Sequence, residues 1–325
     1  MGKLILSFCI IGCGISLGYI IQIMVSRGKL NLDMGLDALR IRLQKIGLLF
    51  FMPVTILLAT WIVKIETPSL AAFPLVGLSA ILLGGMLALS SARLMRLENK
   101  KAGAFFACGS FTNIGSIGAL VCFIFLGEKG FALVPIYKLL EETTYYSVGF
   151  PICKYLGSAE QSREGTFDRL KGLLKDPFIR ATVSSILIGG ILNLSNIPRP
   201  EFFGIVNAIF IPVGTSLLLI SIGLAMRFRS VVNYLKECFS LSLIKFLFVP
   251  VVITFFAWSL GYGEIDNGIP LKVVLILSSM PVAFNALIPP SIYDLDIDLA
   301  NSCWLFTTSC LVVILPILMF LLQVI

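Results

Sequence analysis

The chain has 325 residues, of which 58% are hydrophobic and only 13% charged, and it carries a net charge of +7. Soluble domains average about 45–50% apolar and about 25% charged residues, so the composition excludes an ordinary soluble protein. It predicts an integral protein of the cell membrane in contact with lipid, and the positive charge then reflects basic loops rather than nucleic acid as a partner.

Metal and cofactor chemistry is not expected from the residue types present. The chain has eight cysteines and no histidine, and the cysteines form no CxxC pair. Metal sites in proteins usually need clustered Cys, His or acidic ligands. An enzyme needs such a cluster or a nucleophile next to a base, so we expect no enzyme activity.

Apolar runs of about 20 residues predict ten transmembrane helices. Their predicted bounds are 4–26, 44–63, 70–92, 103–126, 131–156, 179–196, 202–226, 239–260, 271–292 and 299–325. The first run is too long for a signal peptide and has no small-residue cleavage pattern, so we expect it to remain as a helix. The polar insert 157–177 is expected to hold a short surface helix.

Most Lys and Arg residues fall in the loops after spans 1, 3, 5, 7 and 9. Cytoplasmic loops of membrane proteins carry an excess of these residues. The distribution predicts that both termini lie outside the cytoplasm.

The two halves of the chain show weak internal similarity in the same order. The landmarks are "ISLGYIIQ" (15–22) with "ILIGGILN" (186–193), Pro53 with Pro212, and Asn113 with Asn285. Five spans per half is an odd number, so the halves would have opposite orientations, which is typical of secondary transporters. The alternative is chance similarity among apolar segments. The predicted division is a first repeat, a cytoplasmic connecting loop and a second repeat, at 1–157, 158–178 and 179–325.

Spans 4 and 9 contain residues that interrupt helices. Span 4 includes "GSFTNIGSIGAL" (109–120), and span 9 includes Pro281, Asn285 and the pair Pro289–Pro290. Gly and Pro both favour a break, and irregular backbone within a membrane must be covered by protein or water. We expect Gly109 and Gly115 to let span 4 unwind.

Such breaks expose half-helix N-termini, whose N–H groups suit a carboxylate. The predicted substrate-binding residues are Ser110, Thr112, Asn113, Gly115, Pro281 and Asn285. The alternative is that these small and polar residues only serve helix packing.

Span 5 contains a charged turn, "VPIYKLLEETTYY". Lys138, Glu141, Glu142 and Tyr145 follow the spacing i, i+3, i+4, i+7 and are predicted to share one helix face near the middle of the membrane. Because Lys138 pairs with one carboxylate, the other is a candidate for proton coupling. A static polar cluster is an equally good interpretation. Lys245, seven residues into span 8, is expected to extend towards the cytoplasmic surface and is assigned no role.

Several of these segments together resemble the auxin efflux carrier family, which includes plant auxin carriers and bacterial malate and malonate permeases. They are "SFTNIGSIG" (110–118), "YSVGFPI" (146–152), "LLKDPFI" (173–179), "LLLISIGLAMRF" (217–228) and "MPVAFNALIPPSIYDLD" (280–296). The resemblance implies an all-α fold of two inverted five-helix repeats, similar to bile-acid symporters and sodium/proton antiporters. In that fold helices 4 and 9 cross and bind a carboxylate.

By the same resemblance, Asn113 and Asn285 match the Asn residues of the family's crossing. The plant carriers have Asn-Pro at the first crossing, where this chain has Ile114, and that difference argues against auxin as the substrate. We therefore expect a secondary transporter of small organic anions. A sodium-coupled symporter, a membrane sensor that binds the anion without moving it, and assembly as a homodimer stay open.

Overall fold

The computed structural model describes residues 2–30, 35–62, 68–157, 177–195, 197–226 and 231–324. Within these ranges the regular structure is helical, apart from one isolated antiparallel bridge. Among the residues described, seven helices are long and apolar enough to cross a membrane. The predicted helical membrane protein is therefore confirmed, whereas the predicted short helix in 157–177 lies almost wholly outside the described residues.

The helices of the first half are α1 (Gly2–Ser26), α2 (Leu36–Ile46), α3 (Met52–Thr60), α4 (Phe73–Leu94), α5 (Asn99–Ser110), α6 (Ala119–Tyr137), α7 (Glu141–Thr144) and α8 (Phe150–Leu156). Wider π-helical turns join α2 to α3, lead into α6, and join α7 to α8. Helix α6 is kinked at Gly127, whose φ of 74° is a left-handed conformation that glycine adopts readily.

The helices of the second half are α9 (Pro177–Leu194), α10 (Phe202–Gly223), α11 (Leu235–Leu243), α12 (Val249–Ser259), α13 (Ile269–Ser278), α14 (Ile288–Ile292) and α15 (Ile297–Val324). A π-helical turn, Ile244–Phe248, joins α11 to α12, and a 3₁₀ turn, Phe284–Leu287, precedes α14. The polypeptide therefore leaves helical geometry inside predicted spans 4 and 9, after Ser110 and after Ser278. The count of ten spans and the inverted symmetry of the halves stay predictions.

The chain forms two compact units, each assembled from separate stretches of sequence. The first unit comprises Met1–Ile65, Ser116–Pro135 and Lys175–Met226. The second unit comprises Glu66–Gly115, Ile136–Leu174 and Arg227–Ile325. This division follows packing, whereas the predicted repeats 1–157 and 179–325 are defined by symmetry and stay a prediction.

Glycines bring neighbouring helices of the first unit into close contact. Helices α1 and α10 meet at Gly18 and Gly223, where a side chain on Gly18 would lie 2.9 Å from the Cα atom of Gly223. Helices α3 and α9 meet at Gly189, whose Cβ position is 2.6 Å from the carbonyl oxygen of Leu57. Small residues of this kind allow the backbones of membrane helices to approach closely.

An ion pair adds a polar contact to the first unit. Arg199 Nη2 lies 2.7 Å from Glu128 Oε2, and Arg199 Nη1 donates to the carbonyl oxygen of Leu58 over 3.0 Å. Both charged side chains are largely buried. The pair thus joins the kink of α6 to the end of α3 and to the loop before α10.

In the second unit, α4 packs against α5 through Gly84 and Gly109. A Cβ atom on Gly109 would lie 2.7 Å from the carbonyl oxygen of Gly84 and would also overlap the Cβ atom of Ala88. Gly109 is itself helical, since α5 continues to Ser110. The prediction that Gly109 lets span 4 unwind is wrong: the residue provides the small volume that this helix contact needs.

Candidate functional site

The two non-helical segments of the second unit pair with each other through their backbones. Asn113 N–H donates to the carbonyl oxygen of Pro281 over 2.8 Å, and Ala283 N–H donates to the carbonyl oxygen of Phe111 over 3.0 Å. These bonds form an antiparallel bridge between Thr112 and Val282. We call the paired segments, Phe111–Asn113 and Pro281–Ala283, the crossing. Spans 4 and 9 therefore meet where the sequence predicts breaks.

Local chemistry explains why each helix ends there. Helix α5 makes its last helical bond from Phe111 N–H to Ala107, and Ile114 N–H then bonds to the Thr112 carbonyl oxygen in a tight turn. Pro281 has no N–H and so cannot continue α13. Val282 N–H instead donates to Thr307 Oγ1 over 3.2 Å.

At least four backbone N–H groups in the crossing or next to it therefore already have acceptors within the protein. They belong to Asn113, Ile114, Val282 and Ala283. A backbone donor in a membrane interior must be satisfied in this way. An anion at the crossing would consequently depend on side-chain groups and on later N–H groups rather than on these four.

Lys245 contributes an amine to the crossing, and the sequence interpretation missed it. Its ammonium donates to Thr112 Oγ1 over 2.7 Å and to the carbonyl oxygen of Phe111 over 3.3 Å. Only 1% of the residue is exposed. The expectation that Lys245 extends towards the cytoplasmic surface is wrong, because its side chain points instead into the second unit.

The prediction for Lys245 was wrong because the start of span 8 was placed too late in the sequence. The predicted span began at residue 239, whereas the apolar helical stretch runs from Val231 to Ser259 and places Lys245 near its centre. A charged residue at mid-membrane depth usually faces a functional interior. The π-helical turn Ile244–Phe248 around it is a second signal, since such turns are frequent at functional sites.

Tyr145 links the crossing to the charged turn of predicted span 5. Its hydroxyl accepts a hydrogen bond from Thr112 N–H over 3.0 Å and donates to Glu141 Oε1 over 2.8 Å. Lys138 Nζ lies 3.3 Å from Glu141 Oε2, so the predicted ion pair is present. Glu141 and Tyr145 are both buried.

The geometry of this cluster differs from the prediction in one respect. Lys138 lies in a turn, residues 138–140, that separates α6 from α7, so the four residues do not share one continuous helix face. The ion pair nevertheless forms, because the turn brings Lys138 next to the first residue of α7. The side chain of Glu142 lies outside the described part of the structure.

The remaining predicted site residues differ in their exposure. Ser110, Asn113 and Pro281 are buried, whereas the Asn285 side chain is exposed in the 3₁₀ turn that follows the crossing. A Cβ atom on Gly115 would lie 3.1 Å from Lys138 Nζ, so the glycine lets that amine approach the chain. The crossing thus lies next to ionisable side chains from two other predicted spans: Lys245 of span 8, and Lys138 and Glu141 of span 5.

Two curated proteins are similar to most of the chain. An uncharacterized transporter of Methanothermobacter thermautotrophicus is 24% identical over 248 residues, which cover 76% of this chain and 77% of the relative. An uncharacterized transporter of Methanocaldococcus jannaschii is 28% identical over 248 residues, covering 74% and 72%. No protein-family model matches the sequence. Together with the seven apolar helices, these relatives support a multi-pass membrane transporter.

Proposed function

We propose that this protein is a secondary transporter of small organic anions, most simply carboxylates, and that the anion binds at the crossing. The observation that carries the proposal is the buried ammonium of Lys245 against the paired, broken helices. Broken helices of this kind form the substrate sites of many secondary transporters. The two similar proteins, both named transporters, add support for the transport class.

The charges near the crossing favour an anion over a cation. Lys245 has only neutral oxygens as hydrogen-bond partners in the described part of the chain, while Lys138 and Glu141 form an ion pair with each other. The described ionisable side chains at and next to the crossing are therefore two amines, Lys245 and Lys138, and one carboxylate, Glu141. Charges in a membrane interior are costly and usually mark a pathway, so an anionic substrate is the natural complement.

The binding residues in this proposal are Ser110, Thr112, Asn113, Gly115, Pro281 and Asn285. Among them, Asn285 has an exposed side chain that a ligand could reach. Lys138, Glu141, Glu142 and Tyr145 form a coupling cluster in which a carboxylate takes up a proton. Tyr145 connects this cluster to the crossing through Thr112 N–H.

The proposal is tested by transport in liposomes. The purified full-length protein is first screened for thermal stabilisation by mono- and dicarboxylates, and uptake of each stabilising compound is then measured with and without an imposed pH gradient. Uptake above that of protein-free liposomes is expected for at least one carboxylate. Binding without uptake would instead favour a membrane sensor, and neither binding nor uptake would contradict the proposal.

The location of the site is tested with Asn113→Ala and Asn285→Ala. Each removes hydrogen-bonding groups from the proposed pocket, at a cost of about 1–3 kcal/mol, or roughly 5- to 150-fold in affinity for the carboxylate. Asn99→Ala, at the exposed start of α5, is the matched control and should bind normally. If Asn113→Ala and Asn285→Ala both retain normal affinity and transport, the crossing is not the binding site and these residues serve packing.

A further inference from the structure

The end of α5 is a place that suits a positive charge. Phe111 caps the C-terminus of this helix, and its carbonyl oxygen points at Lys245. The last carbonyl groups of a helix lack helical partners and carry partial negative charge. In carriers with broken helices, unwound carbonyls and half-helix C-terminal ends are the groups that coordinate coupling cations.

The ammonium of Lys245 already binds two oxygens at this place. One is the Phe111 carbonyl oxygen at 3.3 Å, and the other is Thr112 Oγ1 at 2.7 Å. Carbonyl and hydroxyl oxygens are also ligands of the kind that a sodium ion would use. The same Phe111 carbonyl oxygen also accepts a hydrogen bond from Ala283 N–H. Lys245 therefore shares an acceptor with one of the bonds that pair the two broken helices.

We infer that Lys245 is a built-in cation of this protein, which takes the oxygen-lined place at the end of α5 that a coupling sodium ion would otherwise occupy. The inference rests on the proposed function for its transport consequence. Because the amine is covalently attached, its nitrogen stays at the two oxygens in every cycle, and the crossing needs no ion from solution to stay paired. Anion uptake is then independent of sodium.

The inference also assigns Lys245 a role as a positioning residue. It is 1% exposed and contacts the crossing from the π-helical turn of a different helix, so it acts on the substrate through Phe111 and Thr112. Its removal would leave a carbonyl and a hydroxyl oxygen facing an empty space. These two oxygens are groups to which a small cation can bind.

The first experiment uses the unmodified protein and needs no substrate. The apparent melting temperature of the purified full-length protein is measured in sodium chloride, potassium chloride and choline chloride at equal ionic strength. We expect the same melting temperature in all three salts. A specific increase in sodium would overturn the inference, and this result is independent of whether any carboxylate is transported.

The second experiment compares Lys245→Ala with Lys245→Met. The Ala variant opens the space at the two oxygens, so sodium but not choline should raise its melting temperature, whereas Met fills the space and should abolish that response. Lys272→Ala is the matched control, because Lys272 also donates to a backbone carbonyl, that of Asn267, but is exposed. An Ala variant that melts identically in all salts would contradict the inference.

The third experiment measures uptake of a verified carboxylate in liposomes. Unmodified protein should transport equally well in sodium and choline, and Lys245→Met should lose about tenfold or more of its uptake rate because a charge-assisted contact to the crossing is lost. Uptake that requires sodium, or that is unchanged in Lys245→Met, would refute the assignment. Failure to find any transported carboxylate would contradict the proposed function alone, since the salt dependence of melting still tests Lys245.

Discussion

Tyr145→Phe is expected to loosen the crossing while leaving the surrounding packing in place. The hydroxyl accepts from Thr112 N–H over 3.0 Å and donates to Glu141 Oε1 over 2.8 Å, and the residue is only 2% exposed. The ring stacks on Phe111 with centroids 3.8 Å apart, and Phe at this position preserves that contact. The substitution therefore removes these two hydrogen bonds and keeps the ring contact.

The magnitude follows from the nature of the two bonds. A neutral hydrogen bond contributes about 0.5–1.5 kcal/mol and one to a charged group about 1.5–3 kcal/mol, so their joint loss lowers the local stability of the crossing by about 2–4.5 kcal/mol. The half-buried Thr112 amide loses its acceptor. Local opening at this amide should then be roughly 30- to 1,600-fold more frequent.

The assay is hydrogen–deuterium exchange of the full-length protein in micelles, read by mass spectrometry in peptides that contain Thr112. Tyr155→Phe is the matched control, since Tyr155 is 85% exposed on α8. The control should exchange like the unmodified protein. If Tyr145→Phe also leaves exchange around Thr112 unchanged, the hydroxyl does not hold the crossing and the reasoning fails.

Three other predictions follow from features of the two units. Arg199→Ala should lower the apparent melting temperature, because the largely buried carboxylate of Glu128 loses its partner at a cost of about 3–5 kcal/mol. Gly109→Ala should destabilise the protein by about 1–3 kcal/mol, because the added Cβ atom would crowd Gly84. The same melting assay measures this effect, and Gly12→Ala is the control because Gly12 has open space around it. A cysteine added at the N-terminus should react with an impermeant reagent in intact cells, as the distribution of basic residues predicts.

Each of these has a clear contrary result. A melting temperature unchanged by Arg199→Ala would mean that the ion pair contributes no net stability. Equal melting of the Gly109→Ala and Gly12→Ala variants would mean that α4 and α5 adapt to the added methyl group. Labelling of the added cysteine only after permeabilisation would reverse the predicted orientation.

The breaks in spans 4 and 9 were predictable because their causes are local. Pro281 has no N–H to offer a helix, and the sequence around Asn113 is rich in glycine and polar residues. These properties act wherever the residues lie in the fold. The pairing partner of each break was not predictable on the same basis, because residues 113 and 281 are joined only by the tertiary structure.

Other features depended on neighbours that the local sequence does not reveal. The acceptors of Lys245 lie 133 and 134 residues away along the chain, so its role needs knowledge of which helices meet. Gly109 serves close packing rather than unwinding because Gly84 and Ala88 lie against it. The turn at residues 138–140 contains no Gly or Pro, and tertiary packing imposes it on a sequence that otherwise favours a helix.

The backbone pairing at the crossing has a consequence for biogenesis. The partners of Phe111 and Asn113 are Ala283 and Pro281, which a ribosome synthesises long after the first break has been made. Until then, the carbonyl and N–H groups of the first break have no partner from the second half, and unsatisfied backbone groups cost several kcal/mol each in lipid. The nascent first half therefore has to stay in contact with water or with the insertion machinery until the end of the chain arrives.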